Sequence, residues 1–294
     1  MLGVIGMLIL GLTWVERWRN IPFSKELGWI LTGSFFLGQS FNYQSHNDIV
    51  LTVICALVFP LSFAVARWEY QANPSHRSAL AWARGTVAFA GLPYLFIMYI
   101  PWLSVLAIWF VASQSALFLS FATGINIELG TTYVNTPQGR IPWEEWTGNR
   151  WFSMDFAGEY PFQTELLLND GTMIGINFVL ACTALQSMVL FVGAISCLEL
   201  NWKVRIRALL LTVPLIHLLN VFRNAGLIWM HLTYTTWSFQ GLSVFEFGHS
   251  YVARFVSLFA MFFMALLMFE IVPEMHRHIL TLTRVQPKEQ KNTQ

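Results

Sequence analysis

Arg223 and Arg254 stand inside apolar stretches, VPLIHLLNVFRNAGLIWM and FGHSYVARFVSLFAMFFMALLM. A charged side chain at that depth costs about 2.5 kcal/mol or more on insertion scales, so each calls for a partner, a wet cavity or a chemical role. A guanidinium stays protonated and is a poor general base; it suits polarising a carbonyl, stabilising an oxyanion, or fixing a carboxylate or phosphate. Cys182, in LACTALQS, adds a nucleophile, and thiolates form beside positive charge. Gln186 is expected one turn below Cys182 on the same helical face. Asn220 and Asn224 flank Arg223 on its helix, in a pattern that also suits a structural clamp. His249, at the mouth of the last apolar run, is the residue able to move protons. His217, one turn before Asn220, reads as a supporting or helix-packing residue, and His231 is a weaker candidate. Cys55 and Cys197 read as small packing residues. Three cysteines without metal-type spacing indicate neither a disulfide framework nor a metal site.

These residues need membrane helices to hold them. The 294-residue chain is 55% hydrophobic and only 11% charged, which marks an integral membrane protein. Its net charge of +1, without a basic patch interleaved with aromatics, gives no sign of a nucleic-acid partner. No cleavable signal peptide stands out, so MLGVIGMLILGLTWV reads as a retained first span. Apolar runs occur near 1–15, 26–42, 48–66, 82–99, 102–124, 176–199, 208–232 and 249–272. Basic residues cluster between them: Arg17, Arg19 and Lys25; Arg67, Arg77 and Arg84; Lys203, Arg205 and Arg207; and Arg277, Arg284, Lys288 and Lys291. All four clusters fall on the cytoplasmic side only if one run does not cross. That run is 102–124, which begins after Pro101 and carries Ser104, Ser113, Gln114, Ser115 and Ser120.

The predicted fold is therefore an all-α polytopic membrane protein. It has about seven transmembrane helices, a re-entrant or interfacial helix, and a small extracytoplasmic cap containing a β-hairpin. Four regions follow: 1–100 with four spans, 101–175 with the interfacial helix and cap, 176–273 with three spans carrying the chemistry, and 274–294 as a cytoplasmic tail. The segment 125–175 holds seven carboxylates against Arg140 and Arg150, so the cap is acidic; its Trp143, Trp146 and Trp151 suit the headgroup level. FQTELLLNDGTMIGINF reads as a hairpin turning at Asn169, Asp170 and Gly171. At about 1.5 Å per residue, Cys182 falls roughly 9 Å and Arg223 roughly 14 Å below the outer ends of their helices, with Arg254 about five residues down the last span. Three uncommon residues on three consecutive spans thus share one outer-third level.

The succession LACTALQS, LLNVFRNA and HSYVARFVSL resembles the exosortase and archaeosortase family of membrane transpeptidases, most closely its archaeosortase branch. The resemblance covers the second half of the chain and the cap. It implies a nucleophilic Cys182, a first arginine in Arg223 and a third residue in Arg254, with His249 near enough to compete for that third role. Where the family often has Gly soon after its Cys, this chain has Ala184. The resemblance further implies secreted or surface substrates, S-layer proteins among them, ending in a Pro-Gly-Phe type motif, an apolar sorting helix and a basic tail. Cleavage would pass through a Cys182 acyl-enzyme, with an archaeal phospholipid as acceptor and no cofactor. The competing reading is a membrane transporter or a lipid- or anion-binding protein that uses Arg223, Arg254 and His249 as pathway residues.

Overall fold

The computed structural model describes residues 2–15, 21–45, 48–71, 73–153, 156 and 160–283. Arg17, Arg19, Arg284, Lys288 and Lys291, used above to orient the chain, lie outside these residues. Helices dominate, as continuous apolar runs require when backbone groups have no water to bond. In chain order they are α1 (Leu2–Trp14), α2 (Ser24–Ser45), α3 (Ile49–Gln71), α4 (Arg77–Tyr99), α5 (Pro101–Thr123), α6 (Leu185–Ser196), α7 (Trp202–Thr233), α8 (Val244–Phe247), α9 (Ala253–Ile271) and α10 (Pro273–Thr283). Among the described residues, five helical stretches are long and apolar enough to cross a membrane: Ile49–Gln71, Pro74–Tyr99, Pro101–Thr123, Trp202–Thr233 and Val244–Ile271. Large apolar side chains on them face outward, such as Leu61 at 64% and Leu258 at 70% exposure, as lipid-facing helices do. The chain is thus a membrane-embedded, mostly helical protein.

It divides into two compact units, Met1–Leu92 with Leu190–Ala208 and Met268–Gln294, and Pro93–Val189 with Leu209–Leu267. Small residues bring α1 and α2 together in the first unit: a Cβ on Gly6 would stand 2.7 Å from the Thr32 backbone nitrogen, and one on Gly28 2.8 Å from Leu10 Cδ2. Such contact replaces the hydrophobic drive that lipid cannot supply. Arg84 corrects the charge reading. It lies inside α4 at 2% exposure, in an ion pair with Glu69, itself 4% exposed, and Trp29 Nε1 donates to the same carboxylate at 3.5 Å. Its charge is neutralised locally, because a buried guanidinium demands an acidic partner. The described part of the expected tail is a packed helix: α10 buries Met275, and His278 stacks on Trp82 at 5.5 Å.

The second unit contains an antiparallel sheet in the order β2-β1-β3-β4, formed by β1 (Ile127–Thr136), β2 (Gly139–Pro142), β3 (Phe162–Leu168) and β4 (Met173–Phe178). β1 pairs with β3 through Ile127↔Leu168 and Val134↔Phe162, and β3 with β4 through Thr164↔Phe178 and Leu167↔Met173. In the turn between them, Thr172 N donates to Asp170 Oδ1 at 2.9 Å, and Gly171 takes φ 80°, a conformation glycine adopts without steric cost. One face of α5, with Val105, Ile108, Ala112 and Leu119, shares a core with Val134, Phe162, Leu166, Ile174, Ile176 and Phe178 of the sheet. Buried polar groups are matched: Trp109 Nε1 donates to Thr132 Oγ1 at 2.7 Å, and Thr132 Oγ1 lies 2.8 Å from Thr164 Oγ1. α5 is unbroken over 23 residues, so it is not interrupted in the manner of a re-entrant hairpin.

The run 176–199 is not one helix. Met173–Phe178 alternates exposed and buried residues as a strand, Leu180–Thr183 forms a 3-10 turn, and α6 begins only at Leu185 and has 12 residues. A short apolar run carries no periodicity that separates a buried strand from a helix.

Candidate active site

Cys182 sits in the 3-10 turn that ends β4's lead toward α6, not within a helix as its apolar surroundings predict. Its N–H donates to the Val179 carbonyl at 2.9 Å. Thr183 Oγ1 donates to Leu180 O at 2.6 Å and accepts from Leu185 N at 3.3 Å. The turn closes at Ala184, which takes φ 54°, a left-handed conformation that costs a residue with a Cβ about 1–2 kcal/mol. The break there separates Cys182 from Gln186. The two do not share a helical face; Gln186 instead donates to Tyr94 OH at 2.9 Å.

The carbonyl of Cys182 is clamped from α7. Asn220 Nδ2 donates to it at 2.7 Å and Asn224 Nδ2 at 2.9 Å. Both asparagines are buried, and a spacing of four residues puts them on one face of the helix. Arg223 Nη1 donates to Asn220 Oδ1 at 3.3 Å, so guanidinium, amide and cysteine backbone form one chain of hydrogen bonds. The Arg223 Nε–H is buried with no acceptor, and leaving such a donor unmatched is unfavourable by about 1–3 kcal/mol. An oxygen presented by a ligand would satisfy it.

The other charged groups come from the start of the last long helix. Gly248–Val252 forms a π turn, a form of helix that concentrates at functional sites; it carries His249 and hands over to α9 one residue before Arg254. Arg223 lies within electrostatic range of Cys182 and Arg254, and His249 within range of both guanidinium groups. Cys182, Arg223, Arg254 and His249, drawn from three separate stretches of chain, therefore occupy one neighbourhood. No known family, curated protein or solved structure matches this chain. The site rests on its own geometry.

That geometry puts the Arg223 guanidinium beside the Cys182 thiol, with Arg254 and His249 within range of Arg223. Such a set can hold a tetrahedral oxyanion and transfer a proton. His217 stands apart in a different contact: its Nε2 bonds Gln114 of α5, and its ring stacks on Phe110 at 5.2 Å, a helix clamp. His231 Nε2 donates to Ile174 O on β4 at 3.0 Å. Among the described residues no cluster of three or more His, Cys, Asp or Glu is placed to hold a metal ion. Sequence reasoning missed Thr183 and Phe245. A hydroxyl directly after the cysteine was the available signal for Thr183, whereas nothing local distinguishes Phe245 among 25 phenylalanines.

Proposed function

We propose that the chain is a membrane-embedded cysteine transpeptidase of the archaeosortase type, cleaving a C-terminal sorting signal of Pro-Gly-Phe character through a Cys182 acyl-enzyme. The observation that carries the reading is the Cys182, Arg223, Arg254 and His249 neighbourhood, in which the Arg223 Nε–H is buried without an acceptor.

Seven helices cross the bilayer in this reading, with the sheet-bearing region outside and the C-terminus in the cytoplasm. α5 lies in the outer interface: one face joins the sheet core, while Leu106, Phe110, Leu117 and Phe121 stay exposed. α6, with 12 residues, rises only about 18 Å against a hydrocarbon core of about 30 Å. The turn carrying Cys182 therefore sits below the outer surface.

In the reaction, the Cys182 thiolate forms a bond to the scissile carbonyl carbon, and the carbonyl electron pair becomes an oxyanion facing Arg223 Nε, with Arg254 as the second positive charge. Collapse breaks the C–N bond. The leaving amine takes its proton from protonated His249, and a thioester is left on Sγ. An acceptor, a lipid amine of an archaeal phospholipid or water, then gives its proton to His249 as it attacks the thioester and expels the Cys182 thiolate, which restores the starting pair. The Asn220 and Asn224 amides are already engaged with the Cys182 carbonyl, so they position the nucleophile and leave the oxyanion to the arginines. Secreted or surface proteins with a sorting helix are the substrates, their basic tails toward the cytoplasm.

Co-expression with a tagged protein ending in Pro-Gly-Phe, an apolar helix and a basic tail tests the proposal, followed by mass spectrometry. Cleavage by wild type, loss in a folded Cys182→Ala variant and a trapped substrate thioester are expected. Cleavage surviving in Cys182→Ala removes Cys182 as nucleophile, and absence of cleavage by wild type turns the assignment toward anion or lipid passage.

A further inference from the structure

His249 is held by a chain of contacts that begins on the strand leading to the nucleophile. The Phe245 ring stacks on His249 with centroids 5.6 Å apart and planes 17° apart. The same ring meets His231 edge-on, at 5.6 Å and 75°. His231 in turn donates through Nε2 to the Ile174 carbonyl, which fixes that nitrogen as the protonated one. Ile174 belongs to β4, whose chain continues through Val179 into the turn of Cys182.

Each link is itself fixed. Phe245 packs against the core that includes Ile174, Ile176 and Ile228. It sits on α8, where Ser243 and Glu246 form reciprocal capping bonds, Ser243 N to Glu246 Oε2 at 2.8 Å and Glu246 N to Ser243 Oγ at 3.2 Å. The π turn that follows carries His249 directly after Gly248, and the imidazole there rests on the Phe245 ring.

We infer that Phe245 and His231 are positioning residues that hold the His249 ring in register with Cys182, β4 serving as the common mount of both. The inference rests on the transpeptidase reading for its catalytic consequence and on geometry alone for the placement of the ring. A proton donor misplaced by about 1 Å can slow reaction on the order of a hundredfold, so an aromatic stack that fixes the imidazole acts on the rate without touching substrate.

The test has two readouts. In histidine-labelled protein in micelles, the His249 ring protons lie beside the Phe245 ring, with centroids 5.6 Å apart, and carry a ring-current shift from it. Phe245→Leu removes that shift, and Phe245→Tyr restores it; His231→Ala changes it in part, whereas His231→Gln, which keeps an N–H for Ile174 O, does not. In single-turnover thioester formation, Phe245→Leu and His231→Ala lower the rate about tenfold or more with KM for the sorting peptide unchanged, and the conservative variants recover it. Unmoved His249 resonances in Phe245→Leu overturn the inference. Moved resonances with an unaltered rate in His249→Gln leave the placement standing and defeat the catalytic reading instead.

Discussion

Asn224 reaches across 42 positions of sequence to donate its side-chain amide to the Cys182 carbonyl at 2.9 Å. The bond ties a buried face of α7 to a turn with only 3-10 backbone bonding. The position of the candidate nucleophile is thereby set by a helix on which the first arginine also stands. Asn220 doubles the contact at 2.7 Å.

Removing either amide deletes one hydrogen bond, worth about 0.5–1.5 kcal/mol, and still leaves the Cys182 carbonyl one donor. Asn220→Ala and Asn224→Ala should each lower the thermal midpoint in detergent. Because both act on one acceptor, the double variant, which leaves that buried carbonyl with no donor, should lose more than the sum of the two. A strictly additive double-mutant cycle would mean that the two amides do not share the Cys182 carbonyl.

Ala184 holds a left-handed backbone conformation at φ 54°. Ala184→Gly removes the Cβ penalty and should stabilise the protein by about 1 kcal/mol, while Ala184→Val should destabilise it by more than that. Denaturant midpoints of the three proteins in one detergent give the ordering. A destabilised Ala184→Gly would place this residue outside the left-handed region.

The Arg84 and Glu69 pair is buried at 2% and 4% exposure. Glu69→Gln strands the guanidinium and should cost about 3–5 kcal/mol, whereas the double replacement Arg84→Met with Glu69→Leu should be much closer to neutral. Comparing the folded fractions after detergent extraction reads this out. Equal losses for the single and double variants would remove the pairing as the reason for Arg84's burial.

Asp170 titrates below the usual carboxylate range, because the Thr172 backbone N–H and then the Thr172 hydroxyl bond its charged form. A carboxylate held down in the folded state contributes stability that is present above its unfolded pKa, about 3.9, and is lost as pH falls through the lower folded value. Hydrogen exchange of the Thr172 amide should therefore accelerate below that pH in wild type. Asp170→Asn keeps an acceptor but not the charge, so its exchange protection should show no such acid step.

The sequence made the membrane class plain, since runs such as 48–66 and 208–232 are apolar over the length that hydrocarbon requires. It also placed Cys182, Arg223, Arg254 and His249 in a common region, because charged and thiol groups stand out against such a background. The Cys182 turn was illegible for a physical reason: Ile174, Ile176 and Phe178 are as apolar as helix residues, and only hydrogen bonding to β3 makes them a strand. Arg84 looked like a flanking cation because the glutamate that buries it is 15 positions away. The hydrogen bond between Gln114 and His217 spans 103 positions, and no local pattern announces such a pair.

The π turn at Gly248–Val252 amounts to one residue of slack wound into the last helix. A π turn takes up that residue while the helix on either side keeps its faces, so were the chain one residue shorter there, ordinary α-helical winding would resume with Arg254 and the rings of Phe255 and Phe259 facing as before. What would go is the widened turn itself, and with it the place from which His249 projects. The extra residue thus sets His249 apart from the winding that carries Arg254.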